Sequence, residues 1–100
     1  MSDIKGLELR SIVDAEGSLL LRLEEVTYPA PADDEVLVRI EAAPINPSDL
    51  GLLLGPADVT TLEEVGAPDA PALRFSVPRG RMGGLRARIG QSLPVGNEGA

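Results

Sequence analysis

Asn46, Ser48 and Asp49 put a carboxamide, a hydroxyl and a carboxylate within four positions, and Asn97 and Glu98 place a second amide beside an acid near the other end of the chain. The chain contains no Cys and no His, which rules out a thiol nucleophile and a thiolate metal site. The usual zinc ligand set cannot be assembled from it. Local physics accounts for the first group without any substrate. In Asn46-Pro47-Ser48-Asp49, Asn46 stands as a helix N-cap worth ~1 kcal/mol, Pro47 sits where its missing N–H costs nothing, and Asp49 is an acid near the positive end of the helix. Ser48 then lies on the helix surface. Asn97 and Glu98 are suited to hydrogen-bonding neighbouring backbone.

The elements that must hold these side chains read mainly as strands. Leu7, Leu9 and Ser11 recur at every second position. After the turn residues Asp14-Ala15-Glu16-Gly17, Leu19, Leu21 and Leu23 do the same, which predicts a hairpin. The Pro-rich stretch from Tyr28 to Asp34 cannot donate a regular ladder and is expected as a surface connection. Val36, Val38, Ile40 and Ala42 then form the cleanest alternation in the chain, predicting a third strand that ends at Pro44. A short helix from Pro47 to about Leu54 follows, stopped by Gly55-Pro56. The stretch 56–92 is irregular and rich in Gly and Pro, an insertion expected to carry short elements of its own. Met82, Leu85 and Ile89 predict a short helix within it, against the cost of Gly80, Gly83 and Gly84.

With 100 residues there is room for one small domain. One Phe, one Tyr and no Trp leave the core to aliphatic side chains and make stacking on nucleic-acid bases an improbable use of this surface. The net charge of −7 repels a phosphate backbone, so nucleic acid is not an expected partner. Residues 70–97 nevertheless hold five arginines (Arg74, Arg79, Arg81, Arg86 and Arg88) and no acid, while the remainder has four basic and sixteen acidic residues. The N-terminus has no apolar signal core and no apolar run is long enough to cross a bilayer, so the expectation is a cytoplasmic chain with no membrane partner. No G-x-G-x-x-G follows a strand; Gly80-Arg81-Met82-Gly83-Gly84 has neither the spacing nor the strand.

Two segments, Asp34-Glu35-Val36-Leu37-Val38-Arg39-Ile40-Glu41-Ala42-Ala43-Pro44-Ile45-Asn46-Pro47-Ser48-Asp49-Leu50 and Leu93-Pro94-Val95-Gly96-Asn97-Glu98-Gly99-Ala100, resemble the medium-chain dehydrogenase/reductase family. The closer likeness is to its quinone-oxidoreductase and 2-enoyl reductase branches. The first segment is similar to the strand that feeds the catalytic-site helix of that family, the second to its Gly-x-Glu-x-Ala-Gly strand. The resemblance implies a mainly β fold with short helices, the N-terminal part (1–100) of a GroES-like open β-barrel of α+β type, incomplete and without the Rossmann domain of the parent protein.

Zinc-binding members of the family carry a Cys before the helix and a His in the second motif, where this chain has Asn46 and Asn97. The resemblance therefore implies the branch that works without zinc, moving hydride from NADPH or NADH to a quinone or an α,β-unsaturated carbonyl. Asn46 is then the uncharged donor that orients the substrate oxygen, Ser48 and Asp49 are the other catalytic candidates, and Asn46 and Asn97 line the cofactor side of the cleft. The parent protein is expected as a homodimer whose cofactor is held mainly by residues beyond this chain. Enoyl reductases of this kind often carry a Tyr soon after the helix, and the matching place here is about Ala57, which favours a quinone acceptor with water as the acid. The alternative is a non-catalytic binding or assembly module on the same barrel, because fold does not fix activity.

Overall fold

In a computed structural model of the chain, residues 3–96 and 99–100 are described. Among the described residues seven elements follow in order: β1 (Ile4–Val13), β2 (Ser18–Tyr28), α1 (Pro47–Leu53), β3 (Asp58–Ala67), β4 (Ala70–Ser76), a 3₁₀ helix (Arg79–Arg88) and β5 (Leu93–Pro94). The strands form one open antiparallel sheet in the order β3-β4-β2-β1-β5. A mainly antiparallel, unclosed sheet with few short helices fits a partial GroES-like barrel.

The β1–β2 hairpin forms where the alternation places it. Asp14 closes the turn by accepting the N–H groups of Glu16 and Ser18 at its Oδ1, both at 2.9 Å, while Gly17 takes φ +94°. That dihedral is open to glycine at little steric cost. The Gly17 carbonyl also accepts the N–H of Val77 at 2.8 Å, tying the turn to the end of β4.

Pairing in this register puts Leu9, Ser11 and Val13 of β1 beside Leu23, Leu21 and Leu19 of β2, and carries Leu73 and Phe75 of β4 into line with Leu21 and Leu19. These residues make one apolar face. Val13, Leu19, Leu21, Phe75 and Val77 are buried there under Leu53 of α1 and Leu85 of the 3₁₀ helix. The cover extends over only half of the face. Toward the other end, Leu9, Leu21, Leu23, Pro71 and Leu73 line a shallow apolar groove, and Leu7 beyond it is exposed.

The expected third strand is absent. Residues 36–42 form no strand, and Val36, Val38 and Ile40 are 84%, 64% and 54% exposed. Alternation specifies which side chains share a face; a strand also needs a neighbour whose backbone completes the ladder. Among the described residues the segment finds that neighbour only at Ala100, which exchanges hydrogen bonds with Ala42 at 2.9 Å in both directions. The radius of gyration, 15.4 Å, exceeds the ~13 Å of a typical 100-residue domain.

The expected insertion 56–92 is more ordered than its Gly and Pro content suggested. β3 and β4 form a hairpin across Pro68-Asp69, with a bulge between Asp58 and Glu63. Gly66 has φ +89°, and a Cβ there would run into the Ala70 carbonyl oxygen. The predicted helix is wound as 3₁₀ rather than α. Three residues per turn align Met82, Leu85 and Arg88 on one side, while Ile89 leaves the helix to bridge Val13. Among the described residues no helix is long and apolar enough to cross a membrane.

Leu19 has no exposed surface, so Leu19→Ala leaves a cavity beneath both covering helices and should cost ~2–5 kcal/mol. Urea denaturation measures this. A loss below about 0.5 kcal/mol, the scale of a surface change, would contradict the packing described.

Candidate functional site

α1 is short and begins as the sequence predicts. Asn46 is its N-cap, with φ −97° and ψ 159°, and Pro47 occupies the first turn. Asp49 returns its carboxylate to the cap, accepting the Asn46 N–H at Oδ2 over 2.8 Å, one arm of a capping box. Asp49 is only 2% exposed, Asn46 is half-buried and Ser48 is exposed on the helix surface. Asn46 and Asp49 are thus brought together and Ser48 stands apart from them. Asn97 and Glu98 lie outside the described residues.

The two motifs nevertheless meet. Ala100, at the end of the second, pairs with Ala42 of the first, four residues before the Asn46 cap. This pairing brings the backbone leading into α1 alongside Ala100.

The C-terminal end of α1 is anchored by residues that the sequence pattern does not single out. Ser11, with no exposed surface, donates its hydroxyl to the Leu53 carbonyl at 3.2 Å. Arg88 donates from Nη2 to the Ser11 Oγ, also at 3.2 Å. A Ser at a core-facing strand position is the one trace of this arrangement legible in the sequence, since a buried hydroxyl requires a partner.

The opposite face of the sheet carries a charged network. Glu8 faces Glu24 and Arg10 faces Arg22 across the β1–β2 ladder, like against like, which would be unfavourable for isolated pairs. Arginines along and across the strands offset it. Arg10 reaches Glu8 at 2.7 Å and Glu24 at 3.6 Å, and Arg22 reaches Glu24 at 2.7 Å. Tyr28 donates its hydroxyl to Glu8 Oε1 at 2.7 Å, and Ser92 donates to Glu24 Oε1 at 3.1 Å. The Tyr28 hydrogen bond, followed by that of Arg10, holds the Glu8 carboxyl below its ordinary 4.5. The same bond pushes the Tyr28 phenol above 10.0. Glu24 is lowered chiefly by its bond from Arg22.

A 36-residue stretch is 53% identical to the mitochondrial enoyl-[acyl-carrier-protein] reductase of Xenopus tropicalis, covering 36% of this chain and 10% of that protein. No protein-family model matches the chain. The likeness supports the medium-chain dehydrogenase/reductase superfamily and nothing finer. The chain spans about a tenth of the length of the relative it matches.

Tyr28→Phe gives a pH-dependent prediction. Glu8, with its lowered pKa, contributes stability above its unfolded value of 4.5 that is lost as pH falls through the folded value. Tyr28, with its raised pKa, contributes stability below 10.0 that is lost as pH rises through the folded value. The stability gap between wild type and Tyr28→Phe should therefore be widest between these limits and close toward both extremes. Urea unfolding across pH tests it; a gap independent of pH would show that the hydrogen bond is not its source.

Proposed function

We propose that this chain is part of an NAD(P)H-dependent oxidoreductase that reduces a quinone or an α,β-unsaturated carbonyl without zinc, with Asn46 hydrogen-bonding the acceptor oxygen. The observation that carries the reading is the 53% identity over 36 residues to a mitochondrial enoyl-[acyl-carrier-protein] reductase, joined to the appearance of Asn46 at the start of a capped helix. Bound NAD(P)H would supply the hydride. Among the described residues no glycine-rich turn joins a strand to a helix, so the groups that grip the dinucleotide belong to other parts of the protein. What this chain offers is the acceptor end of the reaction.

Negative charge grows on the acceptor oxygen as hydride arrives at the conjugated carbon, and a fixed N–H donor stabilises that charge. Asn46 is suited to this role. Capping uses the acceptor oxygen of its carboxamide, while substrate binding uses donation from Nδ2, so one side chain serves both purposes. The Asp49 carboxylate fixes the backbone of Asn46, which restricts where the amide can point. Ser48 and Asn97 remain proposed neighbours of the cleft.

This chain places no tyrosine next to α1 among the described residues to supply the proton that completes reduction. Tyr28, the only tyrosine, donates to Glu8 on the sheet face opposite α1, and Ala57 packs at the core edge where related enzymes carry their acid. A quinone suits this arrangement best, because its reduced oxygens can take protons from water. The enone is the second member of the same acceptor class.

Oxidation of NAD(P)H by the full-length protein, followed with a benzoquinone and a simple enone, tests the proposal. Asn46→Ala should lower kcat/KM by about 10²–10³ while the protein stays folded. An unchanged kcat/KM would remove Asn46 from the chemistry; absence of acceptor-dependent turnover in the wild type would remove the oxidoreductase reading itself.

A further inference from the structure

α1 is seven residues long, and an isolated helix shorter than ~12–15 residues is marginal in water. Its N-terminal end is held by the Asn46–Asp49 capping box. Its C-terminal end needs an anchor as well. There the last carbonyls lack intrahelical partners and carry partial negative charge, and the last turn of α1 contains no basic residue to meet it.

Arg88 supplies that cation from 35 positions beyond Leu53. Its Nη2 donates to Ser11 Oγ, and Ser11 in turn donates to the Leu53 carbonyl, each over 3.2 Å. Gly55 adopts φ +51° just past the helix, and a Cβ placed there would lie 3.4 Å from Arg88 Nη1, so the guanidinium lies close against the helix exit. The arginine is fixed at its own base: it ends the 3₁₀ helix whose Leu85 is buried in the core, and the next residue, Ile89, bridges to Val13. Leu53 is buried in the same cluster. One hydroxyl with no exposed surface thus joins β1, α1 and the 3₁₀ helix.

We infer that Arg88 is a positioning residue for Asn46, clamping the C-terminal end of α1 through Ser11 so that the insertion 56–92 sets where the amide at the opposite end stands. Asn46 lies about 10 Å along the helix from this clamp, at 1.5 Å per residue. A two-turn helix transmits a tilt at one end directly to the other. The inference rests on the proposed use of Asn46 for its catalytic meaning, but the clamp has a readout of its own.

Hydrogen exchange of individual amides in wild type, Arg88→Met and Arg88→Lys provides that readout. In Arg88→Met the Leu54 amide, which donates to the Leu50 carbonyl, and the Asp49 amide, which donates to Asn46 at the far end, should both exchange on the order of tenfold faster. The β1–β2 amides should keep their wild-type rates. Arg88→Lys keeps the charge and loses the fork, so its α1 amides should fall between the two. Unchanged exchange at Leu54 in Arg88→Met would overturn the clamp, and a change at Leu54 without one at Asp49 would overturn the positioning of Asn46. If Arg88→Met unfolds globally, Arg88→Lys decides, with loosening confined to α1 supporting the inference and wild-type rates refuting it. In the full-length protein, Arg88→Met should lower acceptor kcat with little change in KM for NAD(P)H, and Arg88→Lys should recover part of it. Lack of turnover in wild type would defeat the proposed reaction and leave the exchange result to decide the clamp.

Discussion

Burial of one face of the β1–β2–β4 sheet is the constraint on which the other elements depend. The chain has only one Phe and no Trp, so that face is built from Leu and Val around Phe75, and aliphatic side chains stabilise only where something covers them. Leu53 and Leu85 provide the cover, and each belongs to an element too short to persist alone. The sheet therefore makes α1 and the 3₁₀ helix possible, and they in turn keep Val13, Leu19 and Val77 from water. Ser11 is a polar side chain buried on that face, and its hydroxyl is satisfied by donating to the Leu53 carbonyl and accepting from Arg88.

Local rules made much of this legible. Asp14 to Gly17 announce a turn, flanking leucines alternate, and Asn-Pro-Ser-Asp announces a helix; all three form, with α1 ending one residue before the predicted limit. The pattern at 36–42 was equally clear and produced no strand, because a ladder depends on a partner that periodicity does not name. In residues 56–92, Leu73, Phe75 and Val77 do alternate, yet Pro68 and Pro71 mask the hairpin and the glycines mask the 3₁₀ winding. The Arg88–Ser11 contact spans 77 positions, and no local signal foretells a bond over that separation.

The same division holds at the candidate site. Asn46 and Asp49 are recognisable as a cap from their types alone, and the structure joins them as a cap should be joined. Ser48 faces outward, away from that pairing. The step from cap to chemistry comes from the likeness to reductases, and physical reasoning adds what such chemistry would require: a fixed donor, a helix that does not tilt and an acid from elsewhere. The sheet's polar face has a different task. There Glu8, Arg10, Arg22 and Glu24 hold the hairpin in register, and Tyr28 is committed to them.

In the proposed reaction the acceptor oxygen is met by an amide at the start of α1. A crystal structure of the full-length protein with oxidised cofactor and a bound quinone analogue tests it most directly. Asn46 Nδ2 should lie within about 2.7–3.2 Å of the analogue's carbonyl oxygen, with that oxygen touching no metal ion. An analogue oxygen held by a divalent ion, or seated beyond hydrogen-bonding reach of Asn46, would contradict it.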